Sequence, residues 1–243
     1  GARRGRHARG TAGDAPTGTA GIYVDAAGRN CIVIGAGANA ALRADFVAES
    51  LRAAGAARVV LAQLESPVEA IERALQEARA AGALTILNPA PANVAVPGAL
   101  LELADVLTPN ETEFAALLGR HVGERIDAEA VSGLDQARLH ALCRLLGHDS
   151  TVVVTLGASG CFVSHPDGAT RGDANAYYRI AAEPVRAVDT TGAGDAFNGA
   201  LAASLAQRPG LAFGEHVRFA GRYAGASTEC EGAALAMPRM AVG

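Results

Sequence analysis

Hydrophobic and polar positions follow two alternating rhythms along this 243-residue chain. Short apolar runs rich in β-branched residues, such as "RVVLAQ" at 58–63 and "STVVVTL" at 150–156, predict strands. Segments with helical spacing lie between such runs, at 43–55, 66–82 and 135–146. Strands separated by helices indicate βαβ units, so we expect an α/β fold with a mostly parallel, doubly wound sheet flanked by helices.

The ends of several predicted helices carry residue types that suit helix termini. Ser66 and Pro67 predict an N-cap followed by a proline in the first helical position, and Gly82 lies where a C-cap belongs. The segment "ETEFAALLG" at 111–119 has acidic residues in its first turn, where the helix dipole favours them. Residues 119–133 are polar and irregular, and no element is predicted there.

Further runs complete the alternation. They predict a strand at 84–91, a short helix at 97–104, a strand end at 105–110, a strand and turn at 161–168, a segment at 185–189 that brings the chain out of the sheet, a helix from 195 and another from about 214.

The N-terminal part of the chain departs from this rhythm. Residues 1–18 are rich in Gly, Arg, Ala and Thr without periodicity, so we expect a disordered or non-native tail. Two apolar runs around turn residues in "GIYVDAAGRNCIVIG" predict a hairpin, which makes 19–36 a separate small sheet or lid. The α/β domain then covers 37–243.

Composition and charge exclude several classes of function. The balance of 50% hydrophobic and 19% charged residues is typical of a soluble globular protein. No lysine occurs, which excludes a GxxxxGK[ST] phosphate loop and Schiff-base catalysis. The net charge is −4, and four arginines lie in the first ten residues, so the remaining chain is acidic and we expect no nucleic-acid partner.

Cysteine spacing and hydropathy predict a cytoplasmic protein. Cys31, Cys143, Cys161 and Cys230 are far apart and form no CxxC pair, so we interpret them as small buried thiols in a reducing compartment. No apolar run reaches membrane-spanning length, and no apolar stretch follows the N-terminal arginines as a secretory signal would require. We therefore expect no membrane partner.

Polar or turn-forming residues mark the ends of the predicted strands. These residues are Glu65, Asn88, Asn110, Thr155 and Asp189. Ligands of open parallel sheets bind outside the carboxyl ends of the strands. The sequence therefore predicts a binding site at this edge of the sheet.

The segment "AVDTTGAGDAFNGA" at 187–200 suggests the chemistry of that site. Gly192 and Gly194 permit a tight backbone whose amides converge, and the helix that follows has a partly positive N-terminus with unpaired N–H groups. Together they predict a phosphate pocket. Asp195 is either a helix cap or a base facing a transferring phosphate, and the glycines beside it favour the base. Phe197 stands where a GxGxxG fingerprint needs its third glycine.

Six stretches, in the same order along the chain, resemble the ribokinase-like (PfkB) family of sugar kinases, and within it the ribokinases. They are "GANAAL" at 37–42, "LAQLESP" at 61–67, "NPAPA" at 88–92, "TPNETE" at 108–113, "TLGASG" at 155–160 and "DTTGAGDAFNGA" at 189–200. The resemblance extends from about residue 17 to about 238. It implies ATP-dependent phosphorylation of D-ribose to D-ribose 5-phosphate, with Mg²⁺ accompanying ATP, K⁺ as an activator and a homodimer in the complete protein.

The resemblance also assigns roles to single positions. Asp195 is implied to be the base that deprotonates the sugar hydroxyl, and Glu65 to lie near the sugar. The implied anion hole consists of the amides of Gly192, Ala193 and Gly194. The implied nucleotide-binding residues are Asn110, Thr155, Leu156, Gly157, Ala158, Ser159, Gly160, Gly194 and Gly221.

Two metal sites are implied in the same way. Asn110 and Glu113 match an NxxE element that helps to place Mg²⁺ and the phosphates. The implied monovalent-cation site combines Asp189 and the Thr191 carbonyl with carbonyls of Ser227, Cys230, Gly232 and Ala236.

Simpler structural roles remain open for several of these residues. Asn110 could cap the helix of Glu111, Glu113 and Glu65 could be solvated surface residues, Asp189 could end a strand, and Thr155 could merely adjoin a glycine turn.

The chain also departs from the family pattern. The family's first strand, with its sugar-binding aspartate, and its GGKGAN-type motif are absent from this sequence. Gly221 replaces a larger residue that often borders adenine, and Ala236 replaces a common serine. The alternatives are therefore a kinase for another pentose or a nucleoside, and an inactive shortened fragment that retains nucleotide binding. We expect the 243-residue chain to bind ATP but to phosphorylate ribose poorly.

Overall fold

A computed structural model describes residues 15–24 and 30–239. Within them lie eight strands: β1 (Thr19–Val24), β2 (Asn30–Gly35), β3 (Val59–Ala62), β4 (Leu84–Leu87), β5 (Val106–Leu107), β6 (Thr151–Thr155), β7 (Cys161–Ser164) and β8 (Tyr177–Ile180). The α-helices of the same residues are α1 (Ala44–Ala54), α2 (Val68–Ala80), α3 (Gly98–Glu102), α4 (Glu111–Leu117), α5 (Ala128–Val131), α6 (Gln136–Leu146), α7 (Ala193–Gln207) and α8 (Phe213–Ser227).

The central sheet has six strands in the order β3-β4-β5-β6-β7-β8. Strands β3 to β6 run parallel, and β7 and β8 pair antiparallel. This confirms the predicted mostly parallel sheet. Strand β6 is buried along nearly its whole length because helices cover both faces of the sheet, which explains its unbroken run of apolar residues.

Two hydrophobic cores lie on opposite faces of this sheet. Successive side chains of a strand point to opposite faces, so Val152 and Val154 of β6 join the core packed by α2, α3, α4 and α6. Val153, between them, joins the core packed by α7 and α8. The helix that carries the predicted phosphate pocket therefore rests on the second face, with α8 beside it.

Strands β1 and β2 form a separate two-stranded antiparallel sheet, with Thr19 opposite Gly35 and Val24 opposite Asn30. The predicted hairpin is thereby confirmed, whereas its role as a lid stays a prediction. Most of the predicted tail, residues 1–14, and the connection at 25–29 lie outside the described residues.

The two ends of α2 show one error and one success of the sequence analysis. The N-cap is Pro67, with extended backbone at ψ 134°, so the predicted Ser66 cap is wrong by one residue. The Pro67 carbonyl accepts the first helical N–H groups, which fixes the start there. At the other end Gly82 has φ +73°, and the Ala83 amide donates to the Ala78 carbonyl at 2.9 Å, as in a Schellman motif.

Two further expectations are corrected by the structure. Residues 185–189 form no strand, so Asp189 is not a strand end; its amide and that of Val188 both donate to the Thr228 carbonyl. The stretch 119–133 contains a π-helical turn at Leu118–Val122 and helix α5.

The cysteines divide between buried and exposed positions. Cys143 and Cys161 are buried thiols as predicted, and burial raises the pKa of each to about 12. Cys230, just after the end of α8, is exposed, so its predicted burial is wrong, and the side chain of Cys31 lies outside the described part of the structure. Among the described residues, none of the helices combines the length and hydropathy required to cross a membrane.

Gly160 offers a test of this packing. Its φ is +87°, and a Cβ atom there would lie 2.0 Å from the Ile180 carbonyl oxygen. We expect Gly160→Ala to lower the free energy of unfolding by about 2–5 kcal/mol, because backbone strain and overpacking add. Gly98→Ala is the matched control, since a Cβ at Gly98 meets nothing within 4 Å and its φ is not positive. Urea denaturation of the two variants measures the difference, and equal stability would contradict the expected clash.

Candidate functional site

Hydrogen bonds tie together the carboxyl ends of the parallel strands. The Asn88 amide donates to the Ala62 carbonyl at 2.9 Å, which joins the end of β4 to the end of β3. The Thr108 amide donates to the Leu87 carbonyl at 3.1 Å, and Asn88 Nδ2 donates to the Thr108 carbonyl at 2.8 Å. These polar residues therefore meet at one edge of the sheet, as the strand pattern predicts.

The next strand end joins the same row. The Thr155 amide donates to the Pro109 carbonyl at 3.0 Å, and Asn110 and Thr155 form an isolated parallel bridge. After Thr155 the chain makes a 3₁₀ turn at Gly157–Ser159, closed by a 2.8 Å bond from the Leu156 amide to the Gly160 carbonyl. The residues Gly157, Ala158 and Ser159 of this turn are exposed.

Asn110 and Glu113 form a capping box at the start of α4. The Glu113 amide donates to Asn110 Oδ1 at 2.9 Å, and Glu113 Oε2 accepts from the Asn110 amide at 2.9 Å. The remaining carboxylate oxygen accepts from Asn110 Nδ2 at 3.0 Å. Glu113 is therefore a buried helix residue and not a solvated one, and its burial raises the pKa of the carboxyl group.

The residues present do not fit a protein-built magnesium cage. Both oxygens of Glu113 already accept from Asn110. Among residues 15–24 and 30–239 there is no group of three or more His, Cys, Asp and Glu side chains that could hold a metal ion. The NxxE element orders the loop between β5 and α4, and an effect on Mg²⁺ stays a prediction.

Helix α7 starts at a backbone bend that only glycine adopts readily. Gly192 has φ +77°, and its carbonyl accepts from the Ala196 amide at 2.8 Å. The Ala193 amide donates to the Thr190 carbonyl at 3.2 Å. Within the described residues, the amides of Gly192, Gly194 and Asp195 have no acceptor. Of the three predicted anion-hole donors, Gly192 and Gly194 are thus free and Ala193 is already engaged, and the Asp195 amide is a further free donor that was not predicted from the sequence.

The Asp195 side chain is exposed at this helix start and has no hydrogen-bond partner among the described residues. The N-cap position belongs to Gly192, so Asp195 is not the cap that the sequence left open. Its carboxylate borders an open cleft of about 420 Å³ between α7 and α8. The other lining residues are Ala196, Gly199, Ala200, Ala203, Phe219, Tyr223 and Met237.

Asp189 joins the two segments of the predicted cation site. Oδ1 accepts from the Thr191 amide and Oδ2 from the Gly232 amide, each at 2.9 Å. The hydrogen bonds from Thr191, followed by that from Gly232, lower the pKa of the carboxyl group and keep it ionised. Ser227 and Ala236 are buried near this junction, whereas Cys230 is exposed.

Two further predicted positions have no contact in the described structure that tests their role. Glu65 is exposed just beyond β3, next to Leu64, whose amide donates to the Ala90 carbonyl in the loop after β4 at 2.8 Å. Gly221 lies on the exposed side of α8, and a Cβ there would meet nothing within 4 Å. Sugar contact by Glu65 and adenine contact by Gly221 stay predictions.

One buried polar pair beside the site was not predicted from the sequence. Thr108 Oγ1 donates to Asn198 Oδ1 at 2.6 Å, and Asn198 Nδ2 donates to the Gly194 carbonyl at 2.9 Å. Both side chains are almost fully buried. The available signal was an amide within the otherwise apolar run of α7, because a buried polar side chain requires partners.

Residues 10–240 match the pattern of a known family, described as pfkB family carbohydrate kinase. This match covers nearly the whole chain. The chain belongs to the pfkB family of carbohydrate kinases. The carboxyl-end site and the glycine-rich start of α7 are thus features of a pfkB family member.

Relatives of this pfkB family member include a ribokinase of Mus musculus, 37% identical over 227 residues that cover 93% of this chain and 65% of the mouse protein. The structure is similar to that of a ribokinase from Thermotoga maritima, with 32% identity and a TM-score of 0.72. The match covers 92% of this chain and 67% of the Thermotoga chain. It is also similar to Arabidopsis thaliana ribokinase complexed with ribose and ATP, with 28% identity and a TM-score of 0.69. That match covers 93% of this chain and 67% of the Arabidopsis chain. The chain spans just under two thirds of the length of the curated relatives that it matches first.

The raised pKa of Glu113 predicts a pH signature for the capping box. Below the ordinary glutamate pKa of about 4.3 the carboxyl group is protonated in the folded and unfolded states alike. Its full contribution to the free energy of unfolding is then present. That contribution is lost as pH rises through the higher folded pKa, because the folded state then buries a charge.

Glu113→Gln should therefore have the same free energy of unfolding as the parent near pH 4. At pH 7 its free energy of unfolding should equal or exceed that of the parent, since the Gln side chain also accepts a hydrogen bond in a capping box. Glu113→Ala should lose about 1 kcal/mol. Guanidinium titrations at both pH values measure this. A Gln variant that is as unstable as the Ala variant at pH 7 would contradict the buried charge.

Proposed function

We propose that this protein phosphorylates D-ribose with ATP to give D-ribose 5-phosphate and ADP. The observation that carries this proposal is the pair of unpaired amides at Gly194 and Asp195, placed beside a carboxylate that faces open space at the start of α7. Membership in a carbohydrate kinase family, and similarity to a ribokinase complexed with ribose and ATP, support ribose and ATP as the substrates.

The reaction requires a base and a site for negative charge. Asp195 would accept the proton of the ribose 5-hydroxyl as that oxygen forms a bond to the γ-phosphorus of ATP. The bond from the γ-phosphorus to the bridging oxygen breaks, and ADP leaves with the electron pair. The Gly194 and Asp195 amides would stabilise the charge on the moving phosphoryl group, where a single such donor contributes about 10²–10³-fold to turnover.

The nucleotide would bind along the row of strand ends. Gly157, Ala158 and Ser159 are exposed in the turn from Thr155 to Gly160, Asn110 adjoins this turn through its bridge to Thr155, and Gly221 leaves room on α8. When bound, Mg²⁺ neutralises charge on the ATP phosphates, and it would arrive with the nucleotide. The Asn110–Glu113 pair would contribute by keeping the adjoining loop ordered.

We also propose a cytoplasmic homodimer without nucleic-acid or membrane partners. The hairpin supports self-association, because Tyr23 is 67% and Val33 59% exposed. Odd-numbered positions of the two paired strands share a face, so these two apolar side chains lie on the same surface. Such a surface is typical of a protein contact.

The first test measures binding of ATP and of ribose to the 243-residue chain by titration calorimetry. We expect ATP to bind, because Asn110, the turn after β6 and the start of α7 all lie within the described residues. Failure of ATP to bind would contradict the proposed nucleotide site. Ribose-dependent ADP release, assayed in the chain and in a version extended at its N-terminus to the length of the relatives, tests the activity.

Asp195→Asn tests the base in whichever of these proteins turns ribose over. The amide keeps the shape but accepts no proton, so turnover should fall by about 10²–10⁴-fold while ATP affinity changes only a few-fold. Asp149→Asn is the matched control, because the Asp149 side chain is 96% exposed and far from α7 in sequence. Turnover of Asp195→Asn within a few-fold of the parent would contradict the role.

The ionised Asp189 predicts a response to monovalent cations. A K⁺ bound by Asp189 and neighbouring carbonyls would connect residues 189–191 to 227–236 and so stabilise the start of α7. ATP affinity and the melting temperature should be higher in KCl than in tetramethylammonium chloride of equal ionic strength. Asp189→Asn should remove this difference, and equal values for the parent in both salts would argue against the cation.

A further inference from the structure

Asn198 is a buried amide on the second turn of α7, and both ends of its side chain are engaged. It is 5% exposed, and its partner Thr108 is 1% exposed. The Gly194 carbonyl can only accept, so the amide nitrogen must face it, at 2.9 Å. Oδ1 consequently faces the Thr108 hydroxyl, which donates at 2.6 Å. The geometry thus defines one orientation of the amide.

The hydrogen bond from Asn198 Nδ2 to the Gly194 carbonyl restrains more than the carbonyl oxygen. A peptide group is planar, so the Gly194 carbonyl, the Asp195 N–H and the Asp195 Cα move together. Fixing the oxygen therefore fixes the direction of the unpaired Asp195 amide. It also fixes the point from which the Asp195 carboxylate extends.

The Gly194 carbonyl lies in the first turn of α7, where it is also the regular acceptor for the Asn198 backbone amide, so the side-chain bond is a second constraint on this peptide. The two glycines of the loop, Gly192 and Gly194, give the backbone more freedom than any other residue type would. Gly194 and Asp195 are both exposed, and a Cβ at Gly194 would meet nothing within 4 Å. Asn198 is a side chain that reaches from the buried face of α7 to this peptide.

The other end of the connection is anchored in the sheet. The Thr108 carbonyl accepts from Asn88 Nδ2 at 2.8 Å, and the Thr108 amide donates to the Leu87 carbonyl at 3.1 Å. Thr108 also lies two residues before Asn110, in the loop assigned to the nucleotide. A continuous row of hydrogen bonds therefore runs from the ends of β4 and β5 to the start of α7.

We propose that Asn198, anchored by Thr108, is a positioning residue for phosphoryl transfer. It holds the Gly194–Asp195 peptide so that the Asp195 amide meets the terminal phosphate of ATP and the carboxylate meets the acceptor hydroxyl. The inference rests on the proposed function and deepens it, because it identifies what orients the anion site. A purely structural role predicts something different: loss of the pair would weaken the fold without distinguishing between nucleotides.

The test compares ATP and ADP affinities of the 243-residue chain by calorimetry in the presence of Mg²⁺. ADP lacks the phosphate that would reach the start of α7. Asn198→Asp, which loses the donor to Gly194, and Thr108→Val, which loses only the hydroxyl, should each weaken ATP binding by about tenfold, the effect of one hydrogen bond to a charged group. ADP affinity should stay within about threefold, and Thr108→Ser should restore the parent's preference for ATP.

Ser204→Ala is the matched control, since Ser204 is a fully buried polar residue of α7 that bonds to His216 and not to the site. It should lower stability without changing the ATP-to-ADP ratio. Equal losses for both nucleotides in the Thr108 and Asn198 variants, or a parent that binds ATP no better than ADP, would overturn this inference and leave the nucleotide site intact. A parent that binds neither nucleotide would overturn the proposed function and, with it, this inference.

Discussion

The left-handed backbone at Gly192 determines where α7 begins, and most of the site depends on that point. A helix leaves its first amides unpaired, so the position of its first residue decides which amides face outward. With Gly192 as the N-cap, the Ala193 amide is satisfied by the Thr190 carbonyl, and the free donors of the first helical turn among the described residues are the amides of Gly194 and Asp195. If the helix began one residue earlier or later, a different pair of amides would be unpaired, and the carboxylate would rotate about 100° around the helix axis.

Much of the fold could be read from the sequence, because the deciding interactions are local or periodic. Unbroken β-branched runs such as that of β6 predict strands buried on both faces, and alternation with helical segments predicts parallel pairing. The glycine bend before α7 could also be predicted, since positive φ has a strong residue preference, although the helix begins at Ala193 and not at the predicted residue 195. Helix ends were less certain, as the one-residue error at Pro67 illustrates.

What could not be predicted depends on contacts between distant parts of the chain. The Thr108–Asn198 hydrogen bond joins residues 90 positions apart, and no local pattern indicates which strand end faces which helix turn. Asp189 was expected to end a strand, yet its amide pairs with the carbonyl of Thr228 at the end of α8. The roles of Glu65 and Gly221 stay predictions. Both residues are exposed, and the periodicity of a sequence predicts helices and strands but not which ligand an exposed residue contacts.

The bonds around Asp189 also close a loop. Asp189 Oδ2 accepts from the Gly232 amide 43 residues later, and the Thr228 carbonyl accepts two amides from the 188–189 segment. The intervening chain contains α7 and α8 packed side by side on one face of the sheet. Its ends are therefore joined at the very point where α7 starts, and separating them would release the loop-closure constraint on both helices. We therefore expect α7 and α8 to open as one cooperative unit, with their amides exchanging with solvent together when that junction opens.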